Sequence, residues 1–425
     1  MNLKTVLRPL LWTTLSLLII SWDRPDIGSG DTPQITVTVD LSVLDMISNF
    51  EIGVTHVHNQ WDKGHPEAVA RVKSLLGECI RFHNQHITHW GVDNDLMPGP
   101  GQYEWETLDH RMNLIRSIKN SVPVITFCGA PAWMKDFDPK VKWQVEVRVR
   151  DENVADFASL CKTVALRYPD VKYFQVWNEF KGYGKDYIRL TNMYKAVYDS
   201  VKSERPDVKI GGPYLNKGGR DVSDWDREAV AYWLKNGSGA EFFTYDGWIE
   251  GWPPGGKTEE WMMGRTDFFG KLSKEYAAMS NLPVWISEFY GGKNDNLEFT
   301  AANYASCYYH ALKNGTNVAL LWEPFSFGRL FSKTDSANGG QPTPHYFVVK
   351  AFNTYFGPGT QLYKAESSSG NLDVLASREK VLLINKSPDP VTVALNRKKL
   401  ILKGYEVRLE DTPRRKSVKR TKTSE

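Results

Sequence analysis

Eight short apolar runs separated by longer amphipathic stretches, followed by closely spaced β-type runs, predict an α/β chain: a (β/α)8 TIM barrel with a small C-terminal β-sandwich domain. The 425 residues leave room for a barrel of about 250–300 residues and an accessory domain. No G-x-G-x-x-G follows the first run, which argues against an open, doubly wound nucleotide-binding sheet.

The chain opens on Lys4 and Arg8 ahead of an apolar stretch containing Leu15, Leu17, Leu18, Ile19 and Ile20. This is short for a membrane span, which takes about 20 residues, and residues 1–30 read as a secretory signal peptide, with a signal anchor as the alternative. A secreted, extracellular protein is expected, with no stable membrane span. Three N-x-S/T tripeptides, at Asn236, Asn314 and Asn385, fit an exported glycoprotein.

The β-branched run Ile35-Thr-Val-Thr-Val-Asp-Leu41 lies in a segment, 31–49, expected to join the sandwich rather than the barrel. Barrel strands are expected at 52–56, 78–82, 122–127, 173–177, 208–212, 242–245, 284–287 and 318–322, within a catalytic unit of residues 50–356. Helical spacing separates them, as in Leu108, Met112, Ile115 and Ile118, or Val154, Phe157, Cys161 and Val164. Leu190, Met193, Val197 and Val201 repeat the pattern, as do Ala301, Tyr304, Tyr308 and Ala311. From 357 to 411 the runs at 372–376, 381–384, 391–395 and 405–409 lack intervening helices and read as the sandwich.

The formal net charge is +3, yet residues 413–422 alone carry six cations and no acid, so the body is slightly acidic. That excludes a basic nucleic-acid footprint, and residues 412–425 read as a solvated, disordered tail. Cys79, Cys128, Cys161 and Cys307 show no metal-type spacing. Cys79 and Cys128 fall on neighbouring expected strands and could approach each other, though buried free thiols suit a large core better. No cofactor and no metal are expected: His56 and His58 stand together, but the later strand ends supply no partnering histidines.

In this fold reactive groups gather at the carboxyl ends of strands. Trp177-Asn178-Glu179 closes the fourth run and Ser287-Glu288 the seventh, three strands apart around a ring of eight. Two carboxyls about 5–5.5 Å apart are what a retaining glycosidase needs, one to attack the anomeric carbon and one to handle the proton. Arg81, ending the second expected run, is the candidate cation to keep Glu288 ionised.

Asn-Glu after strand four with a second Glu ending strand seven resembles the clan A retaining glycoside hydrolases. Arg81-Phe82-His83 and Tyr103-Glu-Trp105 through Leu108-Asp109 make it most similar to family 39, the β-xylosidases and α-L-iduronidases, over roughly residues 50 to 410. The resemblance implies Glu179 as acid/base and Glu288 as nucleophile. It also implies that Asn178 bonds the sugar 2-hydroxyl and that His83 touches the sugar in the −1 subsite. Trp322, at the end of strand eight, is expected to stack under the ring, with Glu323 accepting from a hydroxyl and His56 as a weaker contact. Two positions depart from the pattern. Tyr245-Asp246-Gly247-Trp248 stands where His-x-Tyr is usual, leaving Tyr245 as the candidate donor to the nucleophile, and Asn84 stands where glycine is usual. Trp133, Trp248, Trp252 and Trp261 are candidates for distal subsites, or simply plug loops.

The expected partner is an oligo- or polysaccharide or a glycoconjugate, cleaved hydrolytically. The alternatives are a carbohydrate-binding barrel without catalysis and a transglycosylase using the same two carboxylates. Lys181, Lys185, Lys257, Lys293 and Arg329 are the cations that could meet a uronic acid.

Overall fold

The computed structural model describes residues 34–413 except 57–58, 138–143, 250–256, 293–294, 327 and 397. The amino-terminal apolar stretch, His58, Trp252, Lys293 and most of the basic tail therefore lie outside the described residues. Strand β1 (Gln34–Ile47) precedes eight parallel strands closed into a barrel in chain order: β2 (Glu51–Thr55), β3 (Phe82–His86), β4 (Val122–Phe127), β5 (Tyr173–Val176), β6 (Lys209–Asn216), β7 (Phe242–Trp248), β8 (Val284–Tyr290) and β9 (Thr316–Trp322). Six short strands follow: β10 (Gln361–Ser367), β11 (Leu372–Ser377), β12 (Lys380–Asn385), β13 (Val391–Leu395), β14 (Lys398–Leu402) and β15 (Val407–Asp411). With β1 they form one mostly antiparallel seven-stranded sheet, in which β1 lies between β13 and β10. Ile35 and Val37 of β1 share a core with Val374, Leu383, Val393 and Leu402. Among the described residues no helix is long and apolar enough to cross a membrane.

The barrel is a filled core. Its lower layer is apolar and aromatic, made of Phe82, Val124, Phe242, Trp285, Val318 and Leu320. Gly53 completes this layer because a Cβ there would come within 2.7 Å of both Phe82 and Leu320. The next residues up the inward faces are polar and fully or almost fully buried: Thr55, Asn84, Thr126, Gln175 and Ser287. The outward faces meet the helices. Leu108, Met112 and Ile115 are buried on helix Glu106–Arg116, and Ala301, Tyr304, Tyr308 and Ala311 on helix Leu297–Lys313.

The second barrel strand corrects the expected register. Glu78 and Cys79 end helix Pro66–Cys79, and the strand runs from Phe82 to His86. Arg81 therefore sits at the amino-terminal mouth, where Nε and Nη2 grip Glu51 at 2.7 and 2.5 Å. This is the face opposite the expected catalytic mouth, so Arg81 cannot orient Glu288. Cys79 is accordingly helical rather than on a strand beside Cys128, and all four cysteines are buried free thiols. Of the three glycosylation tripeptides, Asn385 is fully buried with its amide donating to Asp389 and Lys403 carbonyls, so the folded chain offers no room for a glycan there.

Candidate active site

Two β-bulges and a set of left-handed residues shape the carboxyl-terminal mouth. Between β7 and β8 the register runs Tyr245↔Ile286 and then Asp246↔Glu288, so Ser287 is an extra residue on β8. This lets Ser287 point into the barrel while Glu288, one residue on, also reaches the central site. Tyr214 is the extra residue on β6, skipped between Pro213↔Thr244 and Leu215↔Tyr245. His56, Glu179, Tyr214 and Glu323 all have positive φ, at 58°, 54°, 63° and 42°. Such backbone is costly for non-glycine residues, and its concentration around one mouth fits a site held in shape by its surroundings.

Glu179, after β5, and Glu288, on β8, converge as expected, but with a third acid between them. Glu179, Asp246 and Glu288 each bring a carboxyl oxygen within 4.8 Å of the other two. Asp246 is fully buried on β7. Burial first, then the charge and contact of Glu179 and the charge of Glu288, push its carboxyl well above the ordinary range. Glu288 is pushed the same way, chiefly by burial and then by Glu179, with Glu146 and Glu323 adding to the effect and Lys181 opposing it. Carboxyls this close share protons rather than carrying full charges.

Lys181 is the cation of the site. Its ammonium contacts Glu179 and lies 3.1 Å from Glu146. Burial opposes its charge, but Glu179 and Glu146 outweigh burial and hold it protonated. Asn216 Nδ2 donates to the other Glu179 oxygen at 2.6 Å. The cation expected beside Glu288 is thus found beside Glu179, and it comes from the loop after β5 rather than from Arg81. Glu288 is met instead by His56, whose Nε2 lies 3.3 Å from Oε1.

The remaining expected contacts divide. Asn178 is buried, its Nδ2 donating to Glu146 at 2.9 Å, while its Oδ1 has no partner among the described residues. Trp322 belongs to an aromatic wall, 5.2 Å from Tyr290 and 6.3 Å from His56 between ring centroids. Tyr290 in turn stacks on Trp248 at 5.5 Å. Glu323 follows β9, its backbone N–H donating to the Thr55 carbonyl at 3.3 Å.

Two expected contacts face away. His83 alternates to the outer face of β3, where Nε2 meets the Ile80 carbonyl at 3.3 Å and the ring stacks on Trp61. Burial lowers its pKa to about 4. Tyr245 likewise points outward, its hydroxyl against Ser273 at 2.9 Å and the Phe269 carbonyl, because the inward position on β7 belongs to Asp246.

Besides Asp246, Glu146 and Asn216, three more residues take places that sequence reasoning left empty. His86, three residues after His83 on the inward face, packs on His56 and Trp90 with centroids 4.6 and 4.4 Å apart. Burial, followed by the charge of Lys181 and then His89, lowers its pKa to about 3, so it is a neutral imidazole. Trp90 extends the aromatic wall. Tyr214 is fully buried, and Glu288, Asp246 and Glu179 add to the burial that raises its phenol. Only alternation from Phe82, rather than from Cys79, would have singled out His86. The bulge that turns Tyr214 inward has no signal beyond the Gly211-Gly212-Pro213 preceding it.

His56, His86 and Glu288 could together offer a metal three ligand atoms, all within 4.8 Å, and so could the three carboxyls. In the second group the Lys181 ammonium already meets Glu179.

No protein-family model matches the sequence, and no curated protein matches it. Among solved structures the chain is similar to a monomeric β-xylosidase from Caulobacter crescentus, at 16% identity and TM-score 0.59 over 85% of this chain and 83% of that one. It is also similar to a GH30 endoxylanase from Clostridium papyrosolvens, at 14% identity and TM-score 0.55 over 86% and 88% of the two chains. An endo-β-1,6-glucanase aligns at 10% identity and TM-score 0.59 over 91% and 96%. At these identities the likeness is one of fold: a TIM barrel with an attached β-domain, shared along most of each chain.

Proposed function

We propose that the protein is a retaining glycoside hydrolase, cleaving an O-glycosidic bond by double displacement with Glu288 as nucleophile and Glu179 as acid/base. The observation that carries this reading is the approach of the two carboxyls to within 4.8 Å. That separation suits a retaining pair at about 5–5.5 Å and is too short for the about 6.5–9.5 Å that admits a water in inverting enzymes. The shared fold of a β-xylosidase, an endoxylanase and a glucanase supports it at the level of the scaffold.

In the first step a Glu288 oxygen bonds to the anomeric carbon as its bond to the leaving oxygen breaks, and Glu179 gives that oxygen its proton. Esterification of Glu288 removes a negative charge from the cluster, which favours ionisation of the carboxyls that remain. Glu179 then takes a proton from water, the resulting hydroxyl bonds to the anomeric carbon, and Glu288 leaves. Before that cycle Glu288 must be ionised. Lys181 favours its charge, whereas burial and three neighbouring acids oppose it. The unpartnered Oδ1 of Asn178 suits a sugar hydroxyl, and Trp322 suits the apolar face of the ring.

The charge balance favours an uncharged sugar over a uronic acid in the −1 subsite. Glu146, Glu179, Asp246 and Glu288 face one lysine, which Glu179 and Glu146 already hold. Arg329 is 2.6 Å from Asp295. A substrate carboxylate placed against these acids would meet repulsion, and the lysine within the cluster is already engaged.

The deciding experiment is a screen of chromogenic β-xyloside, β-glucoside, α-arabinoside and uronide substrates with the wild type and Glu288→Gln. NMR of the first-formed anomer accompanies it. Hydrolysis with retained configuration, lost in the variant while sugar binding persists, is expected. Unchanged turnover in Glu288→Gln, or an inverted product, would remove the mechanism. Glycan binding without hydrolysis would make the barrel a lectin, and transfer to a second sugar would make it a transglycosylase.

A further inference from the structure

The polar layer inside the barrel is a directed chain of hydrogen bonds that starts on Ser287 of β8 and ends on His56, beside Glu288. Ser287 Oγ donates to Gln175 Oε1, and Gln175 Nε2 donates to Thr126 Oγ1 at 3.2 Å. The Thr126 hydroxyl donates to Asn84 Oδ1 at 2.9 Å, and Asn84 Nδ2 donates to Thr55 Oγ1 at 3.0 Å. Thr55 Oγ1 then lies 3.0 Å from His56 Nδ1, and His56 Nε2 approaches Glu288 Oε1 to 3.3 Å, close to but short of a formed hydrogen bond. The five residues from Ser287 to Thr55 are at most 4% exposed, so their hydrogens must be satisfied within the layer.

In this direction every hydroxyl hydrogen has an acceptor. Thr55 already accepts from Asn84, and its own hydrogen goes to His56 Nδ1. Run backwards, the chain would leave the Ser287 hydrogen without an acceptor among the described residues. It would also turn a nitrogen lone pair of His56 toward a carboxylate. We propose that this belt fixes His56 as the Nε2–H tautomer, so that the N–H standing 3.3 Å from Glu288 Oε1 favours the ionised carboxylate and can close on it as a hydrogen-bond donor. Thr55 and Asn84 are then positioning residues, acting on Glu288 through His56.

Among the described residues no other group facing Glu288 is hydrogen-bonded to Oε1. Glu179 and Lys181 follow β5, Glu146 lies in a short helical turn between β4 and β5, and Asp246 is on β7. Glu323 follows β9, His86 lies on β3, and Tyr214 on β6. Glu179, Glu146 and Glu323 oppose ionisation, and the Lys181 ammonium contacts Glu179 rather than Glu288.

The inference about tautomer stands on the belt alone; its effect on turnover rests on the proposed hydrolase reading. The test reads both. The 15N imidazole spectrum of the labelled wild type, with His56 assigned by its loss in His56→Asn, should show a protonated Nε2 and an unprotonated Nδ1 near neutral pH. Protonation at Nδ1 would overturn the proposal whatever the activity. Thr55→Val keeps the side-chain shape but removes the donor. It should move the acidic limb of kcat/KM upward by about one to two pH units, the worth of a hydrogen bond to a charged group. Thr55→Ser should return the limb to its wild-type position. An unmoved limb in Thr55→Val overturns the proposal. If that variant does not fold, the wild-type tautomer decides. A wild type that hydrolyses no glycoside yet shows Nε2–H removes the hydrolase reading and supports the belt.

Discussion

Glu288→Gln, introduced as a probe of catalysis, should also make the protein more stable, by an amount that depends on pH. Glu288 in the native state faces two further carboxyls within 4.8 Å. Two full charges at that separation repel by about 3.5 kcal/mol at an effective dielectric of ~20. Proton sharing and the nearby Lys181 reduce this, so a gain of about 1–3 kcal/mol is expected once the wild type is forced to ionise. The direction follows from linkage. Burial and the neighbouring acids raise the native pKa of Glu288 above its unfolded value. The protonated native form therefore costs nothing extra below the unfolded pKa, about 4.3, and stability is lost as pH rises through the native pKa. Gln does not titrate, so variant and wild type should melt together near pH 4 and separate as pH rises.

Thermal unfolding followed by fluorescence at pH 4.5, 6 and 7.5 reads this directly. For a chain of this size about 1–3 kcal/mol corresponds to a melting shift of only a few degrees. Glu179→Gln provides the contrast. It strips a partner from Lys181 and leaves a half-buried ammonium less well satisfied, so it should not stabilise. A Glu288→Gln protein that melts below the wild type, or differs from it equally at every pH, would refute the crowded-carboxylate account.

Asp246→Asn keeps the shape of the third acid and removes its charge, and should lower the acidic limb of the kcat/KM profile by about one pH unit. Lys181→Met should raise the same limb by a comparable amount; shifts of the same sign in both variants would contradict the electrostatics of the cluster. Arg81→Ala should leave kcat/KM within about threefold while costing about 1 kcal/mol or somewhat more, because Glu51 is 5% exposed and loses its partner, although the arginine itself is 52% exposed. A tenfold fall in kcat/KM would return Arg81 to the site. Trp322→Ala should raise KM about tenfold with a smaller change in kcat, checked by steady-state kinetics on whichever substrate the screen identifies.

The barrel and the central pair were readable in the sequence because both are carried by local pattern. Val122–Phe127 reads as one apolar run and is one strand, and the helices show their buried faces at three- and four-residue spacing. Glu179 and Glu288 stand out because each follows such a run. The β-type alternation at Ile35-Thr-Val-Thr-Val is equally local, and that segment forms β1 in the sheet of the C-terminal strands rather than in the barrel. Arg81, His83 and Tyr245 were misread for a shared reason: each depends on which face of a strand looks inward, and a small register error reverses that.

That error was not arbitrary. Phe82-His-Asn-Gln-His86 is a fully buried strand with one apolar residue, so hydrophobic pattern drew the assignment back onto Cys79-Ile80, which belong to the end of a helix and the turn after it. Its polarity has a structural cause. Asn84 belongs to the buried belt and His86 to the reactive mouth, while His83 and Gln85 face the outer shell, where Gln85 accepts from Arg111 at 2.9 Å. Burying the amides of Asn84 and Gln85 is tolerable because both are paired, and an open link in that chain would cost about 1–3 kcal/mol. A barrel needing only stability could fill this layer with apolar side chains, as the layer beneath it is filled. The polar layer lies directly under the carboxyls, ends on a histidine that touches one of them, and hides the strand that carries it from hydrophobic pattern. The place where sequence pattern fails is therefore itself a pointer to the site.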